Sequence, residues 1–150
     1  MVRPIPHAPA PVLRRRSVSV DTPTSADIQA LLQDLKDTCL AAEGIGLAAP
    51  QIGVWKSVAV INLPQGKPYG LVNPKIIWTS ARTSVLDEGC LSVPGLVVPV
   101  PRPTKVRVRA LDESGVLVEI SAGDLLAKVL QHEIDHLNGI LITDYADKAS

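Results

Sequence analysis

In this 150-residue chain, His132-Glu133-Ile134-Asp135-His136 is the stretch whose residue types and spacing suggest chemistry most directly. Residues four apart lie one turn up on the same helix face, so both imidazoles can reach one ion. The Glu between them is placed to carry the proton of a metal-bound water. By ordinary residue frequencies, such a string arises by chance in roughly one chain of this length in a few hundred. Its place on an expected helix flanked by apolar residues therefore favours metal binding over a polar face with two unrelated histidines.

Two histidines do not complete a site, because a catalytic zinc-type centre takes three protein ligands and leaves one position open. His7 lies in a proline-rich arm where nothing fixes it, and it reads as exposed and idle. The acids after His136 are Asp144 and Asp147, both in a tail expected to fray. The remaining candidate is Cys90, a thiolate carried on a loop, whose pKa a metal would depress. Cys39 instead continues the apolar series Ile28, Leu31, Leu32, Leu35 at helical spacing, and reads as a buried, inert core residue.

The elements that must position these groups follow from periodicity. Ser25 or Asp27 caps an expected helix that runs to about Glu43, with Gly44 as its stop. The small-residue segment Gly44 to Gln51 is neither periodic nor charged, and taken alone it reads as a flexible loop. Val58 to Leu63, Tyr69 to Val72 and Ile76 to Thr79 read as short strands punctuated by prolines and Gly70. Lys105 to Leu111 alternates apolar with arginine, Asp112 to Gly115 is a turn, and Val116 to Ile120 returns as the partner strand. Ser121 to Asp124 looks like a capping box opening the second helix. Leu125, Leu126, Val129, Leu130 and Ile134 supply its apolar residues, and Asn138-Gly139 supplies a left-handed stop. Strands dominate without βαβ alternation, so the class is α+β.

Composition limits the alternatives. Hydrophobic residues make up 46% and charged residues 20%, and no apolar run is long enough to span a membrane. Lysine plus arginine equals aspartate plus glutamate at 15 each, which removes the electrostatic case for a nucleic-acid binder. Arg14 to Arg16 reads as a solvated edge. The first 20 residues hold no acid and carry Arg and Ser, as an organelle transit peptide does, but Pro4, Pro6, Pro9 and Pro11 would break its helix. That segment reads as an extended arm of the mature domain. Two cysteines are too few for a secreted disulfide scaffold, and a reducing compartment fits both.

Three segments, Gly44 to Gln51, Glu88-Gly89-Cys90-Leu91-Ser92 and Gln131 to His136, resemble in order the three sequence motifs of the peptide deformylase family. Pro11 to Arg14 is similar to the family's opening strand, the hairpin before the second helix matches too, and the likeness covers nearly the whole chain. The resemblance implies one catalytic domain over residues 1–150. Small mixed or antiparallel sheets would pack around a central helix carrying the HExxH motif, with a further helix near the N-terminus. It implies Cys90, His132 and His136 as metal ligands and Glu133 as catalytic acid and base. Gln51, through its amide, and Leu91, through its backbone N–H, would hold the oxyanion. The substrate would pair with backbone near Gly44, Ile45 and Gly46 by strand addition. Glu88, Gly89 and Val129 would line its path, with Leu91, Val129 and Leu86 as walls of a methionine pocket. Glu88 and Arg102 could pair beneath the Cys90 loop.

The cofactor implied is one divalent ion, Fe(II) by family habit, with nickel, cobalt or zinc as substitutes. The reaction implied is hydrolysis of the N-formyl group from the formylmethionine of nascent polypeptides in the cytoplasm, releasing formate. Many bacterial members carry an arginine where this chain has Val97, which bears on preference beyond methionine. The short stretch after Asp144 leaves ribosome docking open. Three other readings remain. A deformylase-fold hydrolase could act on another formylated or acylated substrate. A metallopeptidase on the same helix would be indifferent to Cys90→Ser. A non-catalytic relative could serve as a binding module, although such relatives usually lose the Glu or the Cys.

Overall fold

The computed structural model describes residues 1–146; Asp147 lies outside them. Helix α1 spans Ala26–Ala41 and helix α2 Asp124–Leu137, with a single turn, α3, at Thr143–Ala146. Strands β1 (Gly46–Ala48), β2 (Val58–Ile61), β3 (Tyr69–Thr79), β6 (Lys105–Leu111) and β7 (Leu117–Gly123) form one antiparallel sheet in the order β1-β2-β3-β6-β7. Strands β4 (Thr83–Cys90) and β5 (Val93–Pro103) form a separate antiparallel pair. The class is α+β, as the pattern of elements implies.

Strand β2 shows why the two helices lie on opposite faces of the sheet. Its side chains alternate, so Val58 and Val60 join the α1 residues Ile28, Leu32 and Leu35 in one core. Ile61, pointing the other way, joins the α2 residues Val129, Leu130 and Ile134 in a second core. Each such side chain removed from water contributes about 1.5–3 kcal/mol. A strand buried on both faces needs the uninterrupted apolar run Val58–Ile61. Strand β6 is buried on one face only: Val106, Val108 and Ala110 lie inward, while Arg107 and Arg109 are exposed.

The ends of the helices refine the sequence reading. Ser25 caps α1, its Oγ accepting the backbone N–H of Ile28. The helix closes with Glu43 N–H on Leu40 O and Gly44 N–H on Cys39 O. Glu43, not Gly44, takes the left-handed position, at φ 55°. A Cβ at Gly44 would lie 2.9 Å from Leu91 Cδ1, so a larger residue there would shift that side chain. Gly139 is left-handed at φ 75° and ends α2 as its dipeptide implies. The expected capping box is absent, because Ser121 is committed to the β6–β7 ladder opposite Arg107 and Gly123 is the N-cap.

Other expectations change with tertiary context. The segments 69–72 and 76–79 are one strand, whose register slips near Pro74 let it continue along β6. Gly46–Ala48 is an edge strand and Ala49–Ile52 a 3-10 turn, so the supposed flexible loop is ordered and largely buried. Pro11–Arg14 is a 3-10 turn with Leu13 buried, not a strand. Cys90 sits at the end of β4, not on a loop. Leu125 is exposed on the outer side of α2.

Candidate metal centre and cleft

Three segments distant in sequence meet beside α2. That helix presents His132 and His136 one turn apart, and the end of β4 delivers Cys90 from the second sheet. Cys90 Sγ lies 3.3 Å from His136 Nε2, which lies 3.2 Å from His132 Nε2. All three donor atoms fall within 4.8 Å of one another. Metal–nitrogen bonds of about 2.0–2.1 Å and metal–sulfur bonds of about 2.3 Å give a tetrahedron with edges of roughly 3.3–3.6 Å. The donor set therefore fits a divalent, borderline-soft ion.

The surroundings push the two histidines in opposite directions. Burial by itself lowers the basicity of His132, but hydrogen bonds to Cys90 and Glu88 carry its pKa up to about 10. His136, 1% exposed, is held well below the usual histidine value by burial and by the facing charges of His132 and Arg102. An ion entering the cluster must therefore displace a proton from His132, which ties binding to pH. His132 Nδ1 faces Glu88 Oε1 at 3.0 Å, the carboxylate support typical of ligating histidines.

Glu88 is 1% exposed and Arg102 7% exposed, joined by Arg102 Nε to Oε2 at 2.6 Å and Nη2 to Oε1 at 2.9 Å. Burial opposes ionisation of Glu88, yet the bonds to His132 and Arg102 bring its carboxyl down to about 2. The pairing expected between these two residues is thus present, and it reaches a histidine of the centre directly.

Glu133 faces a contrasting environment. Its side chain is buried, Oε1 has no hydrogen-bond partner among the described residues, and a Cβ on Gly46 would stand 2.6 Å from Oε2. Burial pushes its carboxyl up to about 7 against the pull of His132 and Arg102. A carboxyl near neutrality with an unengaged buried oxygen can accept a proton and give it back.

Gln51 is 2% exposed, on the 3-10 turn after β1. Its Oε1 accepts the N–H of Ala48 at 3.0 Å, which fixes the amide orientation. Nε2 then donates to Ser92 Oγ at 3.1 Å and lies 3.8 Å from Cys90 Sγ.

A cleft of about 310 Å³ opens over these groups. Gln51, Cys90, Leu91, His132 and Glu133 line it, together with Gly44, Ile45, Gly46, Gly89 and Val129. His136 and Glu88 are both buried and neither lines it. Leu86 is 50% exposed and lines a different hollow with Val100 and Arg102, so it is not a wall of this cleft. His7 is exposed, and Val97 is exposed on β5. Cys39 is fully buried, its thiol pushed up to about 11, chiefly by burial.

Several contributors escaped the sequence reading. Ser92 lay inside a quoted motif but carried no assigned task. Asn62, which donates to Gly44 O at 2.9 Å, gave no signal. Glu43 and Lys128 line the cleft rim and are ordinary surface charges by sequence. Asp135, three residues after His132, accepts from Arg102 at 3.0 Å.

A family model described as polypeptide deformylase matches residues 2–150. A peptide deformylase of Rhizobium meliloti (strain 1021) is 43% identical over 98% of this chain and 86% of its own length. One of Alkaliphilus metalliredigens (strain QYMF) is 50% identical over 89% of each. Among solved structures, the peptide deformylase of Ehrlichia chaffeensis in complex with actinonin superposes with a TM-score of 0.93 at 40% identity. That match covers 96% of this chain and 88% of the other.

Proposed function

We propose how this chain, which belongs to the polypeptide deformylase family, carries out its reaction. It is a metal-dependent hydrolase that removes the N-formyl group from formylmethionine. The observation that carries the mechanism is the convergence of one cysteine sulfur and two imidazoles beside a cleft lined by Glu133, whose buried Oε1 has no hydrogen-bond partner among the described residues.

In this reading Cys90, His132 and His136 hold the ion, with Fe(II) as the native metal. The mixed sulfur and nitrogen donor set supports a borderline-soft ion of that kind. An ion held there would supply Lewis acidity and lower the pKa of a water towards the neutral range. Glu133 takes the proton of the attacking water at Oε1 and returns it to the leaving amine nitrogen as formate departs. The Gln51 amide, aimed by its bond to Ala48, donates to the developing oxyanion together with the backbone N–H of Leu91. Losing one such donor costs on the order of 2.7–4 kcal/mol in the barrier.

Edge strand β1 supports strand addition, in which backbone at Ile45 and Gly46 pairs with an extended nascent chain. Leu91 and Val129 form the apolar wall for the methionine side chain, with Gly44 and Gly89 shaping its borders, while Glu88 acts from outside the cleft through His132. Residues 1–150 then act as one catalytic domain on nascent chains in the cytoplasm.

The test is formate release from formyl-Met-Ala-Ser by anaerobically purified protein loaded with Fe(II) or Ni(II). Turnover that falls by about 10³-fold in Glu133→Gln, with metal still bound, is the expected result. No formate from the loaded protein, or equal rates in the variant, would overturn the assignment.

A further inference from the structure

Asp135 is the polar member of the His132–His136 stretch that this reaction leaves unused. Its carboxylate looks away from the cleft. Tyr145 Oη, carried on α3, donates to Asp135 Oδ2 at 2.7 Å, and Arg102 Nη1 donates to the same oxygen at 3.0 Å. Through its other two edges Arg102 grips Glu88, whose Oε1 faces His132 Nδ1 at 3.0 Å. Tyr145, Asp135, Arg102, Glu88 and His132 thus form one continuous chain of contacts.

We propose that Tyr145 is a positioning residue for the metal ligand His132, acting through Asp135, Arg102 and Glu88. The turn at Thr143–Ala146 is then part of the metal centre without touching it. A guanidinium is a rigid planar fork, so anchoring one edge sets the direction of the others. The bidentate grip on Glu88 fixes two of those directions, and Asp135 fixes the third. Tyr145 shares the oxygen that Arg102 uses, and its ring lies 5.2 Å from the guanidinium carbon. It therefore holds both the anchor and the face of the fork. Carboxylate partners of ligating histidines orient the ring, and their loss typically costs 10–100-fold in metal affinity.

The same ring also packs with Val93, Val98, Val100 and Ile142, which would be a purely structural task. Tyr145→Phe separates the two, since it removes the hydroxyl and keeps the packing. The proposal rests on the ligand assignment given under Proposed function, so the experiment reads that assignment separately. Wild type, Tyr145→Phe, Glu88→Gln, the Tyr145→Phe/Glu88→Gln double variant and, as a control on the ligand set, Cys90→Ser are loaded with Co(II). Their dissociation constants are measured by chelator competition, and their thiolate-to-cobalt and d–d absorption bands are recorded.

Tyr145→Phe is expected to weaken Co(II) binding roughly 10-fold and to shift the d–d bands. In the Glu88→Gln background the same change should have almost no effect, because the link to His132 is already cut. Wild-type affinity and spectrum in Tyr145→Phe, whatever its melting temperature, overturn the proposal. Equal weakening in both backgrounds overturns it too, by showing that the hydroxyl acts elsewhere. A thiolate-to-cobalt band that persists in Cys90→Ser would instead overturn the ligand assignment itself, and the proposal with it.

Discussion

Glu88 and Glu133 are both buried glutamates beside the same histidine, yet their carboxyls sit at about 2 and about 7. Burial raises both; Glu88 is brought back down by His132 and Arg102, while Glu133 keeps an oxygen without a partner among the described residues. One is thereby a fixed anion held against His132, and the other is suited to the proton transfer proposed for it. The sign of the pH effect follows for Glu88 in metal-free protein. Its folded pKa is depressed, so its stabilisation is fully present above the unfolded value near 4.5 and is lost as pH falls towards 2. Wild type should exceed Glu88→Gln by roughly 3 kcal/mol at pH 6 in urea unfolding, and the two curves should converge near pH 2. A gap unchanged at pH 2.5 would contradict this account. At this scale the sequence was most legible, since the spacing of His132, Glu133 and His136 needs only helix geometry. Ser92, Asn62 and Tyr145 carried no signal, because their partners Gln51, Gly44 and Asp135 become neighbours only after folding.

Among the elements, β1 and α2 approach so closely that Gly46 is the only residue type that leaves Glu133 in place. Its hypothetical Cβ stands 2.6 Å from Oε2 and 3.0 Å from Cγ and Cδ, all side-chain atoms that would have to move. Gly46→Ala should therefore shift melting by only a few degrees but cut kcat/KM by about 100-fold, because small misplacements of a reacting group carry costs of that order. Unchanged kcat/KM with a correctly folded variant would show that Glu133 has room to spare. Elements with a clear period were readable: α1 from Ile28, Leu31, Leu32, Leu35, and the β6–β7 hairpin from its alternating arginines. The β4–β5 pair was not, because β5 carries Pro94, Pro99, Pro101 and Pro103 and its apolar residues do not alternate cleanly. Its pairing comes from the register of Thr83 through Glu88 against Val98 through Pro103, a tertiary match with no local mark. Edge strand β1 was hidden for the same reason, its three small or apolar residues being extended only because β2 lies alongside.

Over the whole molecule, the N-terminal segment closes the structure rather than trailing from it. Arg14 pairs with Asp144 at 2.6 Å, Ser17 Oγ donates to Leu137 O at 2.8 Å, and Arg15 stacks 3.7 Å from the Trp55 ring. The arginines read as a solvated edge in sequence thus include two that tie the start of the chain to its last helices and to Trp55. The cluster of Cys90, His132 and His136 likewise joins α2 to the second sheet, so an ion bound there should hold two parts of the fold together. Melting temperature should then rise with free Ni(II) in wild type and stay flat in His136→Ala. A flat response in wild type would mean that the cluster takes no ion. The most direct measurement is X-ray absorption at the metal K-edge of Ni(II)-loaded protein. One sulfur scatterer beside imidazole nitrogens is expected in wild type, with the sulfur gone and the imidazoles retained in Cys90→Ser. A wild-type site without sulfur, or one whose sulfur survives that substitution, would contradict the account.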